Sequence, residues 1–320
     1  MVEAEVTFHS GDDELAGVLV LPDGPGPHPV TVFIHGSGSA TREGFGLYAP
    51  IWSEFSRNGM GSVSWDKPGV GDSTGKFLQQ SFEGRSMEVI AAIDFLKQRP
   101  DVDSSRIGLW GISQAGWVMP MVCDRAPDDV AFVIGVGIPV GTVAEQERFR
   151  ITHTLPADGY SAAETEQALA AADLATELLR ENASLETANR NLDRFRSERW
   201  FELVFGDFDE ADYEFGKRIY FYSPVDHLPS VRCPVLAIFG ELDTLVDGKQ
   251  SERVLRELLP KAGNHDLTVK FFPGANHSMV KAVTGGQEEM GRREGNEWEY
   301  AEGYLALMSE WLTQRQMSSV

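Results

Sequence analysis

From Val30 onward, short apolar runs alternate with stretches of helical periodicity, and this alternation limits the possible folds more than any other feature of the chain. Runs at residues 30–34, 62–65, 107–110, 235–239 and 267–272 have the length and β-branched or aromatic content of buried strands. Between them, residues 48–58, 87–97, 251–259 and 299–312 repeat apolar side chains at helical spacing. A chain that alternates in this way folds as a mostly parallel sheet joined by right-handed crossovers, with helices on both faces. Two further runs, 5–9 and 15–21, precede the alternation, and Asp23-Gly24-Pro25-Gly26-Pro27 after them reads as a turn.

The strand signal is absent between residues 140 and 230. Ser161 and Glu164 form a capping box, the serine hydroxyl and the glutamate carboxylate satisfying free amides at a helix start. An Ala- and Leu-rich helix follows to about residue 182, and Leu185, Ala188, Leu192 and Phe195 then mark one stripe of a second helix. The expected organisation is a core built from residues 1–140 and 230–320, with residues 141–229 inserted as a helical cap.

With 320 residues, 42% hydrophobic and 24% charged, the chain can bury a full-sized core, and no low-complexity linker divides it. Lys and Arg total 28 against 49 Asp and Glu, a formal charge of -21, which disfavours nucleic acid and anionic lipid as partners. The start Met1-Val2-Glu3-Ala4-Glu5-Val6 lacks a basic, apolar leader, and no run of about 18 apolar residues occurs, so a cytoplasmic protein is expected. Cys123 and Cys233, both in apolar surroundings, are expected to be reduced core thiols. The seven histidines show no His-x-x-x-His spacing, so neither a metal nor another cofactor is expected.

Leu109-Trp110-Gly111-Ile112-Ser113-Gln114-Ala115-Gly116 places Ser113 between a strand and a helix, flanked two positions away by small residues. A turn this tight tolerates no bulk at 111 or 115 and projects the serine at its tip, as a nucleophile requires. In Phe33-Ile34-His35-Gly36-Ser37-Gly38 another strand ends in a Gly-rich turn. Its amides, from Gly36 or Ser37, pair with that of Gln114 as candidate donors to an oxyanion. His35, at the end of a buried strand, is expected to be structural. A serine nucleophile needs a base and a group to orient that base. Asp243 follows the strand at 235–239 and His277 the strand at 267–272, so both loops open on the sheet edge that carries Ser113. Glu241 or Asp247 in place of Asp243, and His265 in place of His277, remain open as alternatives.

These residues, in the order Ser113, Asp243, His277, resemble the α/β-hydrolase superfamily. Within it, the chain is similar to single-domain esterases related to dienelactone hydrolases and to the catalytic domain of prolyl oligopeptidases. The shared features run over about residues 1–140 and 230–315. Trp65-Asp66-Lys67-Pro68-Gly69-Val70-Gly71-Asp72-Ser73-Thr74-Gly75 resembles that group's loop after the fourth strand, which usually shapes the pocket wall. The resemblance implies an α/β-hydrolase fold of about eight strands and a Ser113–His277–Asp243 triad cleaving a small-molecule carboxylic ester or lactone through an acyl-enzyme. Ala115 stands where many members carry glycine. Ser113 stands where dienelactone hydrolases carry cysteine, so their particular substrate does not carry over. A thioesterase, an acyltransferase or an amidase would use the same parts, and a binding protein on the same scaffold would need none of them. The aromatics from Trp200 to Tyr222 suit either an apolar substrate pocket or packing of the cap, and trimming the cap is expected to alter substrate preference more than turnover of a small activated ester.

Overall fold

In the computed structural model, which describes residues 1–206, 209–291 and 298–317, one eight-stranded sheet runs in the order β1-β2-β4-β3-β5-β6-β7-β8. Its strands are β1 (Val2–Ser10), β2 (Asp13–Leu21), β3 (His28–Ile34), β4 (Gly61–Trp65), β5 (Val102–Ile112), β6 (Val133–Val136), β7 (Val235–Gly240) and β8 (Leu267–Phe272). The β1–β2 hairpin is antiparallel, β2 lies antiparallel to β4, and every later pairing is parallel. Seven of the strands coincide with runs read from the sequence. The eighth, β6, is four residues long and gives too short a signal to stand out, although the sheet buries it entirely.

Period-two alternation sorts the strand side chains between two cores. Val30, Val32 and Ile34 of β3, with Val235, Ala237 and Phe239 of β7, pack on one face against α2 (Phe82–Lys97), α3 (Ala115–Arg125) and α9 (Gly248–Leu258). Phe33, Leu236 and Ile238 pack on the other against α1 (Tyr48–Arg57) and the helix Tyr304–Met317. Helix α2 begins five residues earlier than its periodicity suggested, because Ser81 caps it by accepting from the Gly84 amide at 3.1 Å. Its buried stripe contains Phe82, Val89, Ala92, Ile93 and Leu96, and also the charged residues Arg85 and Glu88. Cys123 on α3 is buried and Cys233 is half-buried, both as free thiols.

Among the described residues, five α-helices lie between β6 and β7: α4 (Val143–Ala157), α5 (Ala162–Arg180), α6 (Leu185–Leu192), α7 (Phe201–Phe205) and α8 (Glu210–Ile219). The Ser161–Glu164 capping box is present, and a second, Thr142 with Glu145, starts α4. This segment has its own core of Ile151, Leu155, Ala168, Ala171, Leu192, Trp200 and Phe201, where each large apolar side chain contributes about 1.5–3 kcal/mol by leaving water. Trp200 and Phe201 sit with Phe205 in an aromatic cluster, and Tyr222 packs on Phe82 while its hydroxyl donates to the Trp117 carbonyl at 3.1 Å. These aromatics pack the insertion together and onto the body. Among the described residues, no helix is long and apolar enough to cross a membrane.

Candidate active site

Ser113 leaves β5 at a φ of +55°, a left-handed conformation that costs a non-glycine residue about 1–3 kcal/mol and persists only where its surroundings enforce it. Here the Ser113 amide donates to the Val136 carbonyl and its carbonyl accepts from the Gly116 amide, both at 2.9 Å. The flanking small residues are sterically required: a Cβ on Gly111 would stand 2.5 Å from the Ala115 Cβ. One on Gly36 would stand 3.3 Å from the Ser113 Cβ, so the Gly-rich turn after β3 lies directly against the serine.

His277 and Asp243 meet beyond the ends of β8 and β7. Imidazole Nδ1 donates to Asp243 Oδ2 at 2.8 Å, and the two side chains are only 8% and 2% exposed. With Nδ1 protonated toward the carboxylate, Nε2 is the basic nitrogen. The other carboxylate oxygen accepts from the amides of Leu245 at 2.8 Å and Val246 at 3.0 Å, which fixes the acid. Asn276 shapes the histidine loop in the same manner, its Oδ1 accepting from the Ser278 and Val280 amides. The imidazole lies against Gly137, where a Cβ would come within 2.9 Å of Cε1, and Gly137 directly follows Val136, the partner of the Ser113 amide. The fold thus brings the three sequence-predicted residues to one edge of the sheet. Among the described residues no hydrogen bond joins Ser113 Oγ to the imidazole; such bonds commonly tighten only when substrate is bound.

The alternatives lie elsewhere. Asp247 is engaged in capping α9, accepting from the Gln250 amide at 2.8 Å, while Glu241 and His265 are exposed. The amides of Gly36, Ser37 and Gln114 have no acceptor among the described residues, which leaves all three open as donors to a ligand. His35 is structural. Nε2 must donate to the Trp65 carbonyl at 2.6 Å, so Nδ1 accepts from the Tyr48 hydroxyl at 2.9 Å, and burial, helped by the Lys67 and Arg85 charges, pushes its pKa down to about 3.

Sequence reasoning missed a group of buried charges behind the Gly-rich turn. Lys67 Nζ donates to the carbonyls of Gly36 at 2.6 Å and Gly38 at 2.7 Å. Arg85 donates through Nη2 to the His35 carbonyl at 2.6 Å and through Nη1 to the Gln114 side-chain oxygen. Burial drives the Lys67 ammonium well below its ordinary range, and it pushes Glu88 up to about 7 against the pull of Arg85. Glu88 accepts from the Trp65 indole at 3.4 Å and from the Gln80 amide. The signal for Arg85 and Glu88 was their position on the apolar stripe of α2, which becomes visible once the helix is taken back to its Ser81 cap. In the loop that carries Lys67, Asp66 accepts from the Arg42 amide at 2.7 Å and pairs with its guanidinium at 2.7 Å, and Arg42 also reaches Asp72 at 2.6 Å. The loop is thereby tied to the turn that follows the Gly-rich segment. Among the described residues, no cluster of three or more His, Cys, Asp or Glu side chains is placed to hold a metal ion.

A model of the Alpha/beta hydrolase family matches residues 31–282. An uncharacterized 31.7 kDa protein in the traX-finO intergenic region of Escherichia coli is 23% identical over 260 residues, covering 78% of this chain and 84% of that protein. The esterase EstD of Thermotoga maritima is 24% identical over 271 residues, 83% of this chain and 58% of the esterase. Among solved structures, the proline iminopeptidase of Mycobacterium smegmatis superposes with a TM-score of 0.63 at 17% identity, covering 99% of this chain and 100% of that one, a likeness of fold.

Proposed function

The chain belongs to the alpha/beta hydrolase family, and from that premise we propose that it cleaves small-molecule carboxylic esters, lactones included, with Ser113 as nucleophile, His277 as base and Asp243 as the group that orients it. The observation that carries this reading is the strained serine between β5 and α3, at the same edge of the sheet as a buried imidazole whose Nδ1 is held by a carboxylate. His277 Nε2 takes the serine proton as Ser113 Oγ adds to the carbonyl carbon. It returns that proton to the leaving alkoxide as the acyl-enzyme forms, and a water activated by the same nitrogen then releases the acid. The amide of Gln114 and those of the Gly36–Ser37 turn receive the developing oxyanion, each donor worth on the order of 3 kcal/mol in the transition state. The esterase EstD, similar over most of this chain, supports ester chemistry in particular. The insertion α4–α8 serves as the cap over this edge and is the part of the chain where acyl selectivity resides.

The test is turnover of p-nitrophenyl esters from acetate to laurate, together with lactones and thioesters, by wild type and Ser113→Ala. The variant is expected to lose about 10⁴-fold or more in kcat while unfolding at the same temperature. Unchanged turnover in the variant would remove Ser113 from the reaction, and a preference for thioesters over oxygen esters would replace the substrate class.

A further inference from the structure

We propose that Arg85 and Lys67 are the positioning residues of the oxyanion site, two buried basic side chains that hold the carbonyl ends of the peptides whose amide ends face the substrate. The proposal rests on the reading of Ser113 as nucleophile and deepens it.

In a trans peptide the C=O and N–H lie in one plane and point in opposite directions, so a bond that fixes the carbonyl also aims the amide. Lys67 Nζ holds the Gly36 carbonyl at 2.6 Å, which sets the plane carrying the Ser37 N–H. Arg85 Nη2 holds the His35 carbonyl at 2.6 Å, which sets the plane carrying the Gly36 N–H. The Gly36–Gly38 turn needs this restraint from outside, since glycine gives the backbone its widest choice of conformations and Gly38 stands at φ +77°. The second amide, on Gln114, comes from a distant part of the chain, and Arg85 spans the gap: its other terminal nitrogen binds the Gln114 side-chain oxygen. A guanidinium is planar and rigid, so one side chain fixes the separation between the two halves of the site, which the flexible ammonium of a lysine would not do. Arg85 can do this because it projects from the buried face of α2, only 5% exposed, with Glu88 one turn further along the same face. Neither side chain touches the substrate in this scheme, and both act through the groups they hold.

The experiment compares wild type with Arg85→Met, Arg85→Lys, Lys67→Met and Gln114→Ala, the last of which keeps its backbone amide. Each is measured for kcat and KM on p-nitrophenyl butyrate, for inhibition by a boronic acid that forms a tetrahedral adduct on the serine, and for melting temperature. Arg85→Met and Lys67→Met are expected to lower kcat by about 10²-fold and to weaken the boronic acid by a similar factor, with KM moving less than about threefold. Gln114→Ala is expected to lose about tenfold in both, and Arg85→Lys to recover little because the fork is gone. Added guanidinium should partly restore Arg85→Met. If folded Arg85→Met or Lys67→Met keeps kcat and inhibitor affinity within twofold of wild type, the proposal is overturned. It is equally overturned if the loss appears only in melting temperature, and should the methionine variants not fold, Gln114→Ala decides by the same two readouts. Labelling of Ser113 by a fluorophosphonate separates the two levels of inference. An unlabelled wild type sinks the nucleophile, whereas a labelled enzyme with indifferent variants sinks only the brace.

Discussion

The two halves of the candidate site are held by different physics. On the oxyanion side, the turn after β3 is fixed by titratable groups buried inside the hydrolase body: Lys67, Arg85 and, behind them, Glu88 and the neutral His35. On the base side, Asp243 and His277 are fixed by backbone amides of their own short loops and by the inserted helices. Gln146 of α4 donates to the Leu245 carbonyl at 2.9 Å, and the Thr154 hydroxyl lies 3.2 Å from both the carbonyl and the hydroxyl oxygen of Thr244. Asp158, at the end of α4, accepts from the amides of Gln287 and Glu288 in the segment beyond His277. The oxyanion half is therefore held directly by groups of the body, with Tyr222 of the insertion packing behind it on Phe82 and Trp117, whereas the base half leans directly on α4, an element whose main task was expected to be selectivity. The sequence suggested that trimming the insertion would alter preference more than small-ester turnover. These bonds argue that any trimming that takes α4 lowers both, because the loop of the acid loses its support.

The comparison can be sharpened by striking each half in turn. The largest effect falls on the base side: Asp243→Asn should lower kcat by about 10⁴-fold, because the amide no longer holds the tautomer that leaves Nε2 basic. A loss under tenfold in steady-state kinetics would mean that another group orients His277.

Next is the pH response of the buried charges. Glu88 titrates near 7 in the folded chain, above the ordinary carboxylate value near 4.5, so the folded state holds its proton more tightly. Its contribution is intact below about 4.5 and is lost as pH rises through about 7. His35 works in the opposite sense: its folded pKa near 3 lies below 6.5, so its contribution is present above 6.5 and is lost as pH falls toward 3. Urea unfolding at a pH of about 5 and about 8 should show Glu88→Gln gaining on wild type at the higher pH by up to a few kcal/mol, at about 1.4 kcal/mol per pKa unit. A constant difference between the two proteins across that range would show that Glu88 does not titrate there.

The smallest effect is a single hydrogen bond between halves of the chain. Thr154→Val keeps the shape of α4 and removes its hydroxyl from Thr244, costing about 1 kcal/mol of stability. A severalfold loss of kcat/KM on p-nitrophenyl butyrate should accompany it, with boronic acid and substrate losing in parallel. An activity equal to wild type would uncouple the insertion from the acid loop.

Much of the molecule was legible because it is written locally. Each strand end next to the site announces itself within a few residues: small residues around Ser113, a Gly-rich turn after Ile34, an acid just beyond β7 and a histidine just beyond β8. The helix starts at Ser161 and the stripe from Leu185 to Phe195 were readable for the same reason. The loop after β4 was expected, by resemblance alone, to shape a pocket wall, and the work of its lysine went unread, since Lys67 acts on residues about thirty positions away. Arg85 reaches back 50 positions to His35 and forward 29 to Gln114, and no periodicity in the chain records such a pairing.

The sequence by itself determined the alternation of strands and helices, the tight turn that forces Ser113 outward, and the order of the three chemical residues, because each depends on sterics and hydrogen bonding within one turn or one strand. Only the tertiary structure decided which charges stand behind the oxyanion turn and which helix supports the acid. Those choices follow from the order of strands in the sheet and from the loss of water around Arg85, Lys67 and Glu88, and burial of that kind exists only once distant segments have packed together.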